Sequence, residues 1–179
     1  MDDYIIFEFP KPGDYPEYFE KYIKELDPEI DVIGLLEDQA DFIEEVFAKL
    51  PDTVLNFRYA AEKWSVKEVL GHLIDCERVF GYRAFCISRG EEQPLPGFDE
   101  NQYIKSGVYD ERTVESMVIE FLSVRDSNLE MFETLPVETL DIAGTASGKR
   151  ITVRALMFVI AAHFEHHLTV LQERYGVEV

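Results

Sequence analysis

The stretch AAHFEHHLTVL, Ala161 to Leu171, places His163, His166 and His167 within five positions of an apolar helical pattern. The fourth and last histidine, His72, lies in a second such pattern, VLGHLIDCERVF. Neutral imidazole is the commonest metal ligand among side chains. At about 100° per residue, His163 and His167 sit about 40° apart on a helix, one turn from each other, and His166 lies about 60° away on the other side of His163. Spacing alone therefore allows either His163 with His167 or His163 with His166 as a pair. A third imidazole from another helix, His72, would complete a facial set that leaves coordination positions open, the arrangement of catalytic rather than structural sites. Zinc is the default cation for such donors, and nickel, iron and manganese also suit them. A cation held this way lowers the pKa of a bound water or thiol towards neutrality. Each histidine taken singly also reads as a buried neutral side chain satisfied by one hydrogen bond. Four of them on two apolar helices favour metal.

Four long helices are needed to position these residues. From Asp31 to Leu50 the residues Val32, Leu35, Leu36, Phe42, Ile43, Val46 and Phe47 recur at intervals of three and four, with Gln39 the one polar exception, and Pro51 stops the run. Ser65 followed by Glu68 is a capping-box pattern that opens a second helix reaching about Arg89. A third is expected from about Glu111 to Leu135, before Pro136, and a fourth from the cap Thr152 to Tyr175, with Gly176 as its stop. Between them, RGEEQPLPGFDENQYIKSGVYD reads as a long connection, and DIAGTASGKRIT as a short hairpin or turn. The first thirty residues read as an extended arm, a turn and a short helix from about Glu17. The fold class is thus all-α, a four-helix bundle over 31–179 with an N-terminal extension over 1–30, in a single domain.

Other reactive side chains have simpler readings. Glu68, Asp75, Glu77 and Glu165 lie near the histidines in sequence and could orient an imidazole or act as a base, but in a chain this acidic they read first as capping or solvated carboxylates. Cys76 and Cys86, ten apart in one helical pattern, do not form a redox pair and read as reduced thiols, with Cys76 a small buried hydrophobe. Trp64, the single tryptophan, is expected to pack the start of the second helix. Phe98, Tyr103 and Tyr109 give the long connection the aromatic content of a lid, or equally of a bundle-end plug.

The chain has 17 basic and 36 acidic residues and a net charge of -19, which opposes binding to nucleic acid or to anionic membranes. The segment MDDYIIFEFPKPGD lacks the basic start and apolar stretch of a signal peptide, and no apolar run approaches the ~20 residues that span a bilayer, so the expected location is cytoplasmic.

The elements WSVKEVLGH (Trp64–His72), PLPGFDENQYI and HFEHH (His163–His167), in this order, resemble the DinB-like superfamily of four-helix proteins. The resemblance covers nearly the whole chain from Phe7 onward. It implies an up-down-down-up bundle and a divalent metal held by His72, His163 and His167, with His166 on the helix flank, and it suggests a homodimer. Members of the superfamily include bacillithiol and mycothiol S-transferases and a mycothiol-dependent maleylpyruvate isomerase. The implied activity is therefore that of a metal-dependent enzyme on a small molecule, a thiol S-transferase first, with a metal-dependent hydrolase or a non-enzymatic metal-binding stress protein as alternatives. A related iron-binding pattern, HxxxHxE, is not met, because Thr169 stands where the glutamate would be.

Overall fold

The computed structural model describes residues 7–178. The expected arm is present from Phe7 onward, and its earlier part lies outside the described residues. The arm turns at Lys11–Asp14, where the Asp14 amide donates to the Lys11 carbonyl, and leads through a 3₁₀ turn at Glu17–Phe19 into α1, Glu20–Ile23. Phe7 is buried and Phe9 meets Phe158 edge to face at 5.2 Å, so the arm is packed onto the bundle.

The first bundle helix, α2, runs Val32–Val46, with the Asp31 carboxylate accepting from the amides of Ile33 and Gly34 as its N-cap. It ends sooner than its apolar pattern: Phe47–Lys49 tighten into a 3₁₀ turn ahead of Pro51. A single turn, α3, spans Asp52–Leu55. The predicted capping box then forms: the Glu68 amide donates to Ser65 Oγ at 3.1 Å, and the Ser65 amide to Glu68 Oε2 at 2.8 Å, opening α4, Val66–Ser88.

The long connection contains a helix that the sequence reading did not resolve: α5, Glu100–Gly107, capped by Asp99. Val108 stops it with a left-handed φ of 51°, an unusual conformation for a β-branched residue. After a 3₁₀ turn at Tyr109–Glu111, α6 runs Val114–Thr134, three residues later than expected at its start, because Thr113 is the N-cap. The segment read as a hairpin or turn is a hairpin, with β1, Ala143–Ala146, antiparallel to β2, Lys149–Thr152, and Ala146 opposite Lys149. Both turn residues, Ser147 and Gly148, have positive φ, as a tight two-residue hairpin requires. Thr152 caps α7, Val153–Val170, which continues as a π-helical turn over Leu171–Tyr175 to Gly176 at φ 69°.

Cross-helix pairs give the topology. Tyr175 reaches Trp64 at the start of α4, while Gly144, just ahead of α7, packs on Ile87 near the end of α4, so α4 and α7 are antiparallel. Arg78 pairs with Glu120 and Gly81 faces Asn128, so α4 and α6 are parallel. On α2, Gln39 meets Ala161 and Phe42 meets Phe164, parallel to α7. The bundle is up-down-down-up, all-α apart from its hairpin, as the resemblance implies.

Gln39, the polar exception in the α2 pattern, is buried and donates to the Ala161 carbonyl and Glu165, while its own oxygen accepts from Arg125. Arg125 in turn pairs with Glu77, and Asn128 donates to Glu77 Oε2 at 2.8 Å. This network crosses the bundle core with its polar groups hydrogen-bonded except Arg125 Nη2, which is held in the ion pair with Glu77, and such partnering is the condition under which burying them is tolerable. No helix of the described residues is long and apolar enough to cross a membrane.

Candidate metal centre

Because α4 and α7 run antiparallel with their polar positions facing, His72 meets the histidine face of α7. The three nitrogens that His72, His163 and His167 can offer lie within 4.8 Å of one another. His72 Nε2 is 3.2 Å from His163 Nε2. Two imidazole nitrogens on one zinc, each bonded at about 2.0–2.1 Å in tetrahedral geometry, stand about 3.3–3.4 Å apart, so this spacing fits a shared cation. The ring centroids form a near-equilateral triangle: 5.0 Å for His72–His163, 4.8 Å for His72–His167 and 4.6 Å for His163–His167.

Electrostatics favour the neutral, lone-pair-bearing form of all three. Burial pushes the pKa of His72 down to about 4, with His166 adding to the effect. Burial and then the neighbouring imidazoles hold His163 and His167 well below the usual histidine range. The Nδ1 atom of His167 is buried and has no hydrogen-bond partner among the described residues. A polar atom in that condition suits a ligand that is itself a Lewis acid.

The rotation of α7 against α4 turns His163 and His167 towards His72. His166 is left out of the triad; it is half-buried, with its ring 4.7 Å from Tyr22. Trp64 does pack the start of α4, and does so on the site, its ring 4.7 Å from that of His72. The Phe80 ring stands edge-on to His163 at 5.8 Å. Cys76 is a buried neutral thiol, its pKa raised well above the usual value by desolvation first, yet its Sγ lies 3.6 Å from His72 Nε2 and it lines the same cavity.

None of the four carboxylates near the histidines in sequence lines this cavity. Glu68 closes the capping box and pairs with Arg58, Asp75 accepts from the Tyr109 hydroxyl at 2.7 Å, Glu77 pairs with Arg125, and Glu165 accepts from Gln39. Of the aromatic residues of the connection, Phe98 reaches the cavity; Tyr103 stacks behind it at 5.2 Å, and Tyr109 is buried against α4.

The cavity above the triad has a volume of about 360 Å³, within the range of small-molecule sites. Its walls include Tyr18 and Tyr22 from the N-terminal segment, and Arg83 and Ser147. Sequence reasoning did not single these out. The aromatic density of the arm was the only signal for the tyrosines, and nothing local marks Arg83 or Ser147.

Among solved structures the chain is similar to that of YfiT from Bacillus subtilis, described as a probable metal-dependent hydrolase with an unusual four-helix bundle topology. The two share 19% sequence identity with a TM-score of 0.69, and the match covers 94% of each chain, a likeness of fold. No curated protein sequence matches the chain. The profile of the DinB superfamily matches residues 35–171, which include most of α2, all of α4 and α7, and all four histidines. With the bundle order, the triad and this match together, the chain belongs to the DinB superfamily.

Proposed function

We propose that His72, His163 and His167 hold a divalent cation and that the protein is a metal-dependent enzyme acting on a small molecule, with thiol S-transfer as its reaction. The observation that carries the metal reading is the triad itself: one buried and two partly buried imidazoles, all favoured in the neutral form, converging on one point beneath a cavity. Zinc leads on donor type, ahead of nickel, iron and manganese. When bound, such a cation supplies Lewis acidity that lowers the pKa of a thiol or water at an open position. The chain's own residues do the rest. Trp64, Phe80 and Tyr22 enclose the histidines in aromatic surface that excludes bulk water and raises the strength of electrostatic interactions within.

The choice of thiol over water is supported by what the walls lack. The one carboxylate lining the cavity is Glu100, which is solvent-exposed, so no buried carboxylate stands beside the triad, and the base nearest to it on the wall is the half-buried His166. Activating water and later protonating a leaving group calls for a proton acceptor and donor within reach. A thiol of ordinary pKa ~8.5 needs only a modest downward push to react as thiolate at neutral pH. The hydrolase reading is favoured by one finding, the description of YfiT as a probable metal-dependent hydrolase.

The deciding experiment is a matrix of thiols (bacillithiol, glutathione, cysteine) and chromogenic electrophiles with metal-loaded protein, metal-free protein and the His163→Ala variant. Thiol-dependent turnover that needs metal and His163 is the expected result. Metal-dependent turnover without thiol would replace the transferase by a hydrolase. A full metal site with no turnover in any combination would leave a binding protein.

A further inference from the structure

Three arginines of the described residues are buried: Arg83, Arg125 and Arg154. Two of them are neutralised within the fold, Arg125 by Glu77 and Arg154 by Asp141. Arg83, 4% exposed, has no carboxylate within ion-pair distance among the described residues, in a chain with 36 acidic residues to 17 basic ones. Its hydrogen bonds all come from Nη2, which donates to the Pro96 carbonyl at 2.8 Å and to Ser147 Oγ at 2.9 Å. A guanidinium has five N–H donors, so the Nε and Nη1 groups remain without a protein acceptor. Arg83 lines the cavity above the triad, as does Ser147.

A purely structural role explains part of this arrangement. Arg83 ties the connection after α4 to the hairpin turn, which also joins Leu95 through the Ser147 amide. That role uses one nitrogen and two neutral acceptors. It leaves a desolvated positive charge with no compensating negative one, a costly state that burial makes worse by disfavouring the charged form.

We infer that Arg83, held by Ser147, is the anion-recognising pole of the cavity, and that the substrate bound there is a small molecule carrying a carboxylate. The inference rests on the metal reading above and extends it to the class of substrate. The Phe80 ring centroid lies 5.8 Å from the Arg83 guanidinium carbon and 5.8 Å from the His163 ring. Both poles thus border the same aromatic ring on the cavity wall, and a ligand lying over that ring can address the triad with one end and Arg83 with the other. Phe98, 5.7 Å from the same guanidinium carbon, encloses it from the connection side. The exposed Glu100 is the one group on the cavity wall that opposes an anion.

The carboxylate could belong to a thiol or to an acyl substrate, and two pairs of metal-directed probes separate these sources. One pair is 3-mercaptopropionate and 3-mercaptopropionamide; the other is succinyl monohydroxamate and its methyl ester. Calorimetric titration of zinc-loaded protein gives Kd without requiring turnover. In at least one pair the acid should bind about ten- to a hundredfold more tightly than its neutral partner, the worth of a charge-assisted hydrogen bond. Arg83→Gln should erase that preference while leaving the Kd of the neutral partner unchanged, which a merely structural role would not do. Equal binding of acid and neutral probe in both pairs to the unaltered protein overturns the inference even if Arg83→Gln fails to fold, as does a preference that survives in Arg83→Gln. If none of the four probes binds differently with and without zinc, the metal reading itself has failed, and the inference with it.

Discussion

Tyr175 donates its phenolic hydrogen to the Trp64 carbonyl oxygen at 2.7 Å, and so ties the π-helical end of α7 to the residue whose ring lies on His72. Because α7 carries the other two imidazoles, this bond clamps together the two helices that the triad bridges. Burial, with the nearby Tyr59 adding to it, pushes the pKa of Tyr175 up from 10.0 to about 12. Between these values the unfolded chain has lost a proton that the native chain keeps, so native stability falls as pH rises through the window. Tyr175→Phe should lower stability at pH 8 by about 1 kcal/mol and lose stability less steeply from pH 10 to 12. Guanidinium denaturation at several pH values checks both effects; an unchanged alkaline slope would mean that Tyr175 ionises normally.

The triad predicts which histidine variants lose metal. His72→Ala, His163→Ala and His167→Ala should each weaken zinc binding by about 10–100-fold or more, since even residues that only orient a ligand have effects of that size. His166→Ala should bind one equivalent with affinity close to that of the unaltered protein, because its ring lies against Tyr22 outside the group. Elemental analysis after dialysis against a chelator of known affinity reads the order, and an empty His166→Ala protein would refute the assignment.

Cys76 should be dispensable for the metal although it touches His72. It lies outside the converging set and serves as a small buried side chain beside it. Cys76→Ala should retain one equivalent of zinc by elemental analysis; loss of the metal would promote Cys76 to a ligand.

The Glu77–Arg125 pair is sealed in the core, its side chains 3% and 1% exposed. Glu77→Ala leaves a buried guanidinium without its counter-charge and should cost about 3–5 kcal/mol of folding stability. Urea denaturation followed by circular dichroism measures it, and a loss below about 1 kcal/mol would show that Gln39 and the Leu36 carbonyl suffice for Arg125.

Gly71 gives a prediction in which two effects oppose each other. Replacing glycine by alanine inside a helix ordinarily gains about 1 kcal/mol. At Gly71, however, an added Cβ would stand 2.4 Å from the Tyr109 ring, which is buried and fixed by its bond to Asp75. Overpacking of that kind costs typically about 1–3 kcal/mol, so Gly71→Ala should be destabilising on balance. Thermal denaturation gives the sign, and a raised Tm would mean that Tyr109 moves aside freely.

Much of this protein was legible along the chain, because the features concerned are local. The apolar period of α2, the Ser65–Glu68 capping box, the Thr152 cap and the Gly176 stop each depend on residues within a turn or two of one another, and the structure has all of them. The match of WSVKEVLGH and HFEHH to a family pattern added the bundle order. Local signals were weakest where elements are short: α5 has eight residues and one buried side chain, Ile104, too little for an apolar period to stand out. Periodicity put His163, His166 and His167 on one side of α7 but could not choose among them, since all three fall within an arc of about 100°. Which of them face His72 depends on how α7 is rotated against α4, and that is set by packing along the whole bundle. The same holds for Arg83. Its sequence neighbours say nothing of Ser147, 64 residues away, or of the absence of a carboxylate partner. Whether a charge is compensated is a property of everything that surrounds it, and that is decided only when the helices, the connection and the hairpin close around one cavity.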